Sequence, residues 1–223
     1  MRIYSYVKNN LNITKSEVMA LDKEGRILVN GMKMNLSRNI RPGEVVTVDG
    51  VVIKDMEFSY YLYNKPKGVI CTNNRSVSGN IIDKLDIDKR VYTVGRLDKD
   101  THGLIILTND NRFTHYVLES KRIEKEYIVE VKETIDDDII TRLAESIMIN
   151  GKPTIPAVVK KIDSNHLSII LIDGRYHEVR ELVKHARCHL VDLKRIRIGK
   201  ILLDDYNLEE GKYIEVSGIK ELI

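Results

Sequence analysis

The apolar run GLIILT, at residues 103–108, constrains the fold of this chain more than any other segment. It lies between two polar stretches, RLDKDTH before it and ND after it, whose composition is typical of turns. A short apolar run bounded by turn signals indicates a buried strand. We therefore predict a buried strand here, and a shorter strand at residues 91–95 that leads into the turn.

The rest of the second half alternates between strand and helix patterns without a regular strand–helix–strand rhythm. Strands are predicted within 58–65, 124–133, 157–163, 166–173 and 190–203, and helices within 112–118, 134–151 and 175–186. In the 134–151 segment, acids in the first turn and Gly151 after the last turn are the signals of a helix start and stop. This arrangement predicts an α+β fold with a mixed or antiparallel sheet.

The first 55 residues have the pattern of a small separate unit. Apolar positions in residues 2–11 recur at helical spacing, and Thr14 with Glu17 forms a possible capping box for a second helix. The segment GRILVNGMKM predicts two strands joined by a turn at Asn30–Gly31, and residues 41–50 predict a third strand. With residues 51–58 as a linker, the chain divides into domains 1–55 and 56–223.

Composition excludes some classes of protein but selects none. A length of 223 residues and 43% hydrophobic content suit a globular chain that buries a core. The two cysteines, Cys71 and Cys188, form no CxxC pair, which argues against a zinc site or a disulfide framework and fits a reducing cytoplasm. No apolar run approaches the ~20 residues that span a bilayer. The net charge of +3 does not by itself indicate nucleic-acid binding.

Asp98, in the turn before the apolar run, allows three interpretations. Asp98, Asp100, His102 and Gly103 occupy positions one, three, five and six of a calcium loop, but position twelve is Asn109 where the loop needs a glutamate. A turn aspartate that binds nearby backbone amides is the simplest alternative. The third is an ionised carboxylate facing a cleft, acting as nucleophile or base.

Basic residues concentrate between 173 and 200, a segment that contains eight lysines or arginines and four acidic residues. Arg180, Lys184 and Arg187 can share a helix face, and Lys194, Arg195 and Arg197 follow on a strand. Such a surface would suit a phosphate backbone, and a solvated helix face explains it equally well. His177, His185 and His189 in the same segment lack an obvious carboxylate or cysteine partner, so we predict no metal site.

Two further positions stay undecided on local pattern. Tyr127, on the alternating strand EKEYIVEV, is either half-buried packing or a ring that stacks on an extruded base. Lys65 and Lys67 flank Pro66 in a basic turn that is either an ordinary loop or one that contacts a substrate.

Taken together, these motifs resemble a known family. NKPKG, VGRLDKDTHGLIILTND, EKEYIVEV, DGRYHEVREL and LKRIRIG occur in the order and approximate spacing of the ribosomal small- and large-subunit pseudouridine synthases that carry an N-terminal S-four-like RNA-binding domain. The resemblance covers essentially the whole chain. It implies that residues 1–55 bind RNA and that residues 56–223 form the catalytic domain.

The resemblance also implies residue roles. Asp98 matches the family's catalytic aspartate, Tyr127 its active-site tyrosine and Arg180 the basic residue that pairs with the aspartate. Leu193 matches an apolar residue of the pocket. The basic residues expected to contact RNA or hold the substrate are Arg96, Lys65, Lys67, Arg175, Lys184 and Arg195.

The implied reaction is isomerisation of a uridine within ribosomal RNA, or within a pre-ribosomal particle, by a monomeric cytoplasmic enzyme. Asp98 would attack the sugar or remove its 2′ proton, and neither route needs a metal or a redox cofactor. Motif details favour the small-subunit RNA weakly over the large-subunit RNA. A non-catalytic RNA-binding or ribosome-assembly protein is the alternative, and a metal-dependent hydrolase using Asp98, Asp100 and His102 is a third.

Overall fold

The computed structural model describes residues 1–11, 13–54, 57–74, 76–120, 123–221 and 223. These residues form two units, Met1–Phe58 and Ser59–Ile223. The domain boundary predicted between residues 55 and 56 falls on two positions outside the described ranges.

The first unit contains two helices and a small sheet. Helix α1 (Ile3–Asn10) buries Ile3 and Val7, and helix α2 (Lys15–Lys23) buries Val18. Thr14 and Glu17 form the predicted capping box, because the Thr14 side chain accepts from Glu17 N at 3.3 Å and the Glu17 carboxylate accepts from Thr14 N at 2.6 Å. Strands β1 (Ile27–Val29), β2 (Val46–Val48) and β3 (Val51–Val52) form an antiparallel sheet in that order.

The predicted hairpin in this unit is only half right. Asn30 and Gly31 do turn the chain, both with positive φ, but Met32 forms only an isolated bridge with Val29 and begins no strand. Asn30 is joined to Val45 instead, since its backbone N–H and its side-chain oxygen bind the Val45 C=O and N–H, each at 2.9 Å. These two bonds direct β1 to β2. Strand β3 also replaces the first part of the predicted linker.

The second unit combines one large sheet with three α-helices in the described residues. Its strands are β4 (Tyr60–Lys65), β5 (Tyr92–Val94), β6 (His102–Thr108), β7 (Lys125–Val131), β8 (Met148–Ile149), β9 (Lys152–Pro153), β10 (Val158–Lys161), β11 (His166–Leu171), β12 (Leu190–Ile198), β13 (Ile201–Leu202) and β14 (Tyr213–Val216). The helices are α3 (Asn111–Glu119), α4 (Asp137–Leu143) and α5 (Glu178–His185), with 3₁₀ turns at Ile82–Lys84, Leu203–Tyr206 and Ile219–Glu221.

The large sheet is mixed, as predicted. Its order is β10-β11-β7-β12-β6-β4-β14, with β5 paired to β6 and β13 paired to β12. All its pairs are antiparallel except β12 with β6, which run parallel where Lys194 and Arg195 face His102 and Gly103. Strand β6 carries the apolar run and is buried from Gly103 to Thr108, which confirms the predicted buried strand.

Gly103 allows the parallel strands to approach each other. Its φ is +102°, and a Cβ built there would lie 2.2 Å from the backbone oxygen of Arg195. Only a residue without a side chain fits at this crossing. The turn that ends at β6 is therefore held close to the middle of β12.

The helix predicted at residues 134–151 is shorter than its sequence signals suggested. Helix α4 ends at Leu143, and Met148–Ile149 is a strand rather than helix. Thr154 competes for the backbone here, since its hydroxyl accepts from Ile147 N at 3.0 Å and its carbonyl accepts from the Ser146 hydroxyl at 2.6 Å. These bonds close the small β8–β9 hairpin. Among the described residues, no helix combines the length and apolar character that crossing a membrane requires.

Candidate active site

A cavity of about 340 Å³ opens between the turn before β6, helix α5 and the centres of β7 and β12. Its volume lies within the range of small-ligand pockets. Seven of the ten residues predicted for the site line it: Arg96, Asp98, Tyr127, Arg175, Arg180, Leu193 and Arg195. Residues more than 90 positions apart in the sequence thus meet at one surface.

The turn that carries Asp98 is held by its backbone. Thr101 N–H donates to the Asp98 C=O at 3.1 Å, and Gly68 N–H donates to the Lys99 C=O at 2.8 Å. Leu97 is buried beside Cys71 and donates its N–H to the Cys71 sulfur at 3.4 Å. The Asp98 side chain remains about one-third exposed, at 32%. A fixed backbone with an accessible carboxylate is the arrangement that a reacting group needs.

Helix α5 supplies the cation that faces Asp98. Arg180 Nε donates to Asp98 Oδ2 at 2.9 Å, and Arg180 Nη2 donates to the Thr101 hydroxyl at 3.1 Å. Nε2 of His177, the N-cap of α5, lies 3.3 Å from Asp98 Oδ1. The two carboxylate oxygens of Asp98 therefore contact two different side chains, one from helix α5 and one from its N-cap.

The opposite wall comes from two paired strands. Tyr127 on β7 faces Arg195 on β12, and Val129 faces Leu193. Residues directly paired across strands project from the same face of a sheet, so Tyr127, Leu193 and Arg195 line the cavity together. Tyr127 is 8% exposed and Leu193 4%, which makes this wall largely apolar around a tyrosine ring.

Buried charges line the cavity beside this wall. Burial and the neighbouring Arg195 lower the pKa of the Lys125 ammonium, which donates to the Ile172 C=O at 3.0 Å. Burial raises the pKa of Glu178, whose Oε2 accepts from Arg175 N–H at 2.6 Å. Within the described ranges, Arg195 Nη2 and Glu178 Oε1 have no hydrogen-bond partner. Among the buried atoms of the described cavity lining, Arg195 Nη2 is thus a spare donor and Glu178 Oε1 a spare acceptor.

Three further basic residues that were predicted for the site, Arg96, Arg175 and Lys184, differ in accessibility. Arg96 is exposed on the cavity wall. Arg175 is bound internally: it donates to the Asp173 carboxylate at 2.9 Å, the Lys152 C=O at 2.8 Å and the Pro153 C=O at 2.6 Å. Lys184 is exposed on α5, away from the residues that line the cavity.

Lys65 does not have the accessible position that its basic turn suggested. Its side chain is 0% exposed, and Nζ donates to the C=O groups of Pro66 and Val69 at 2.9 and 2.8 Å. Burial lowers the pKa of this ammonium. Lys65 therefore stabilises the backbone of its turn from within, and direct contact with RNA would require the turn to open.

Lys67 and His102 both bind Asp192 on β12. Lys67 Nζ lies 2.5 Å from Asp192 Oδ1, and His102 Nε2 lies 2.9 Å from Oδ2. Burial raises the pKa of Asp192, but the hydrogen bonds from Lys67 and His102 outweigh it and leave the pKa below its ordinary value. His102 thus pairs away from Asp98, and no cluster of three potential metal-binding side chains occurs in the part of the chain that the structure describes.

The predicted basic surface at residues 173–200 is smaller than the sequence indicated. Arg195 is 4% exposed and donates to the Leu104 C=O at 2.7 Å. Arg197 is bound by Glu124 and Glu126 at 3.0 and 2.7 Å. Arg187 follows the end of α5 with a φ of +61° and so does not continue the helix face. A backbone carbonyl, two distant glutamates and the end of α5 therefore remove these three residues from the predicted surface.

Sequence reasoning missed His177 as a neighbour of Asp98 and considered it only as a metal ligand. A signal was present, because His177 precedes Arg180 by three residues and positions three apart share one face of a helix. Thr101, whose hydroxyl accepts from Arg180, was also not predicted as a site residue. Tyr176 was not singled out, although it lines the cavity beside His177.

Comparisons with known proteins identify the family of this chain. The chain is 28% identical to the ribosomal small subunit pseudouridine synthase A of Haemophilus influenzae, over 100% of both chains. It is 30% identical to a dual-specificity RNA pseudouridine synthase of Escherichia coli K12, over 95% of this chain and 74% of the relative. A crystal structure of a pseudouridylate synthase aligns with a TM-score of 0.70 and 27% identity, covering 100% of both chains. Residues 59–185 match the RNA pseudouridylate synthase family model, so the chain belongs to that family and is an RNA pseudouridine synthase.

Proposed function

We propose that Asp98 carries out the isomerisation of a uridine in ribosomal RNA after that uridine has left its stack and entered the cavity. The observation that carries the proposal is the Arg180–Asp98 contact, at 2.9 Å, on the wall of a cavity whose other side is Tyr127. An enzyme that reacts with a base takes it out of the stack, because the target atom is inaccessible inside a helix.

In the proposed reaction the bond between the sugar C1′ and the uracil N1 breaks, and a bond between C1′ and C5 forms. The proton on C5 leaves, and N1 gains a proton, so the product is an isomer. Asp98 assists either by adding to the sugar or by removing its 2′ proton. Arg180 orients the carboxylate, Tyr127 stacks on the uracil, and Leu193 excludes water from the same wall.

For the target we favour small-subunit ribosomal RNA. The full-length similarity to an enzyme named for the small subunit supports this choice, while the dual-specificity relative makes the large subunit the alternative. We also propose that the enzyme acts as a cytoplasmic monomer and that residues 1–55 provide a second RNA contact. The free, buried Cys71 and Cys188 suit a reducing compartment.

Asp98→Asn tests the role of the carboxylate with little change in volume. We expect the variant to form no pseudouridine, while its free energy of unfolding changes by less than about 1 kcal/mol, since its ion pair is one-third exposed. Asp100→Asn is the matched control, because Asp100 is exposed in the same turn and lies outside the cavity lining. Pseudouridine should be mapped on both ribosomal RNAs after incubation with each variant. Full activity of Asp98→Asn would exclude the proposed role.

Substrate deuterated at the sugar 2′ position separates the two routes. Removal of the 2′ proton in a rate-limiting step slows turnover of the deuterated RNA severalfold, whereas direct addition to C1′ leaves the rate nearly unchanged. A non-catalytic RNA-binding protein would give no pseudouridine with either the wild type or the Asp98 variant.

A further inference from the structure

Two stacked aromatic rings lie at the cavity. The rings of Tyr176 and His177 are 3.8 Å apart between centroids and inclined by 17°, and both residues line the cavity. Tyr176 is 65% exposed, although a tyrosine ring is a large, mostly apolar surface. His177 covers one face of the Tyr176 ring, so the exposed surface includes the other face.

The loop that carries these rings is fixed before substrate arrives. Arg175 holds it through the carbonyl oxygens of Lys152 and Pro153, and Arg175 N–H is bound by Glu178 Oε2. His177 adopts the left-handed conformation, with φ of 57° and ψ of 20°, at the start of α5. A non-glycine residue in this conformation is uncommon and strained, and such strain occurs preferentially at functional sites.

The pair is directly connected to the proposed reacting group. His177 Nε2 lies 3.3 Å from Asp98 Oδ1, on the side of the carboxylate that Arg180 leaves open. Tyr176, His177 and Asp98 therefore form a continuous series of contacts from the exposed rim to the carboxylate. Anything that stacks on Tyr176 is held at a defined distance from Asp98.

The exposed face of the Tyr176 ring is placed to stack on a base that stays outside the cavity. The cavity of about 340 Å³ is at the low end for ligand pockets, which suits one extruded nucleoside and leaves its neighbours in the strand outside. When one nucleotide leaves a stack, the neighbouring base loses a stacking partner on that side. Aromatic side chains replace such partners for any base, because every base has a π face.

We propose that Tyr176 stacks on the base next to the target uridine and so holds the RNA while that uridine occupies the cavity. The proposal rests on the proposed role of Asp98, because that role sets the direction in which the target uridine enters the cavity. It makes Tyr176 an RNA-positioning residue and His177 its support. Because stacking is tolerant of sequence, it predicts affinity for a flanking base without strong preference for which base it is.

Fluorescence of 2-aminopurine tests the contact without requiring turnover. The probe is an RNA hairpin that contains the mapped target uridine, with 2-aminopurine placed at the 5′ and then at the 3′ neighbour. Stacking on an aromatic ring quenches this fluorophore. We expect quenching at one of the two positions with the wild type and with Asp98→Asn, so that loss of catalysis and loss of stacking are separate results.

Three variants complete the test. Tyr176→Ala should abolish the quenching and weaken the Kd about tenfold, and Tyr176→Phe should retain both, because the ring and not the hydroxyl stacks. Tyr116→Ala is the matched control, since Tyr116 is 55% exposed on α3 and lies outside the cavity lining. An abasic neighbour should weaken wild-type binding to the level of Tyr176→Ala and leave that variant unchanged. Quenching that persists in Tyr176→Ala, or absence of quenching at both positions, would overturn the proposal.

Discussion

Replacing Arg180 by lysine tests whether the site needs a cation or a guanidinium in a fixed orientation. Arg180 contacts two acceptors at once, Asp98 Oδ2 through Nε at 2.9 Å and the Thr101 hydroxyl through Nη2 at 3.1 Å. Lysine keeps the positive charge but presents it as a compact ammonium on a flexible stem. Arg180→Lys therefore preserves the charge near Asp98 and removes the two-point geometry.

The size of the effect follows from exposure and geometry. Hydrogen bonds to charged groups contribute about 1.5–3 kcal/mol when buried, but the Arg180 and Asp98 side chains are 29% and 32% exposed, so solvent screening brings this pair below that range. We expect a loss of about 1 kcal/mol in the free energy of unfolding. The effect on kcat should be larger, because misplacing a reacting group by about 1 Å can reduce the rate about 100-fold. We therefore expect kcat to fall roughly 10- to 100-fold, with KM changed less than about threefold.

Release of tritium from RNA labelled at uridine C5 measures the turnover of these variants, since the proton on C5 leaves in the reaction. Thr101→Val should be measured alone and combined with Arg180→Lys. Because valine has nearly the shape of threonine, Thr101→Val leaves the packing at this 2% exposed position nearly unchanged and removes the hydroxyl acceptor of Arg180. We expect it to reduce kcat when introduced into the wild type and to have little further effect when Arg180→Lys is already present. An Arg180→Lys variant within twofold of wild-type kcat, or losses that simply multiply, would refute the two-point orientation.

Two further predictions concern stability. Gly103→Ala should lower the free energy of unfolding by more than about 3 kcal/mol, because the new Cβ meets the Arg195 oxygen at 2.2 Å and φ is +102°. The control Gly211→Ala, with φ of +81° and no atom within 4 Å, should lower it by only about 1 kcal/mol. Equal losses for the two variants in urea titrations would contradict this prediction. Burial raises the folded-state pKa of Glu178, so the folded state binds more protons and wild-type stability falls as pH rises from about 4.3 through that pKa. Glu178→Gln should therefore gain stability relative to wild type across this window and keep the gain above it, and an equal difference at pH 4 and pH 7 would exclude the explanation.

Local signals predicted those parts of the fold whose partners lie nearby in sequence. The capping box of Thr14 and Glu17 joins residues three positions apart, and the apolar run of β6 is long enough to indicate burial without knowledge of its neighbours. The turn at Asn30–Gly31 was also predictable, because asparagine and glycine tolerate positive φ. Whether a strand follows such a turn depends on pairing with residues elsewhere in the chain, and here Val45 binds Asn30 instead of the residues after the turn.

The surroundings of the basic side chains were harder to predict from the sequence. Lys65 and Arg195 are buried and bound to carbonyl groups, and Arg197 is neutralised by two glutamates from another part of the chain. The sequence pattern around a lysine or arginine is the same whether its charge faces solvent or a backbone oxygen. Only the tertiary structure distinguishes these cases, since the Leu104 carbonyl that Arg195 binds is 91 residues away and the two glutamates that Arg197 binds are 71 and 73 residues away.

The position of the site depends on strand register more than on any single motif. Strand β12 pairs parallel with β6 and antiparallel with β7, so Gly103, Arg195 and Tyr127 lie side by side across three strands. A slip of one residue in either pair would turn Tyr127 to the opposite face of the sheet relative to the Asp98 turn. Gly103 restricts the slip between β6 and β12, because any other residue brought to this crossing would place its Cβ against the Arg195 oxygen. The glycine that ends the Asp98 turn therefore also holds that turn in register with the strand that pairs with Tyr127.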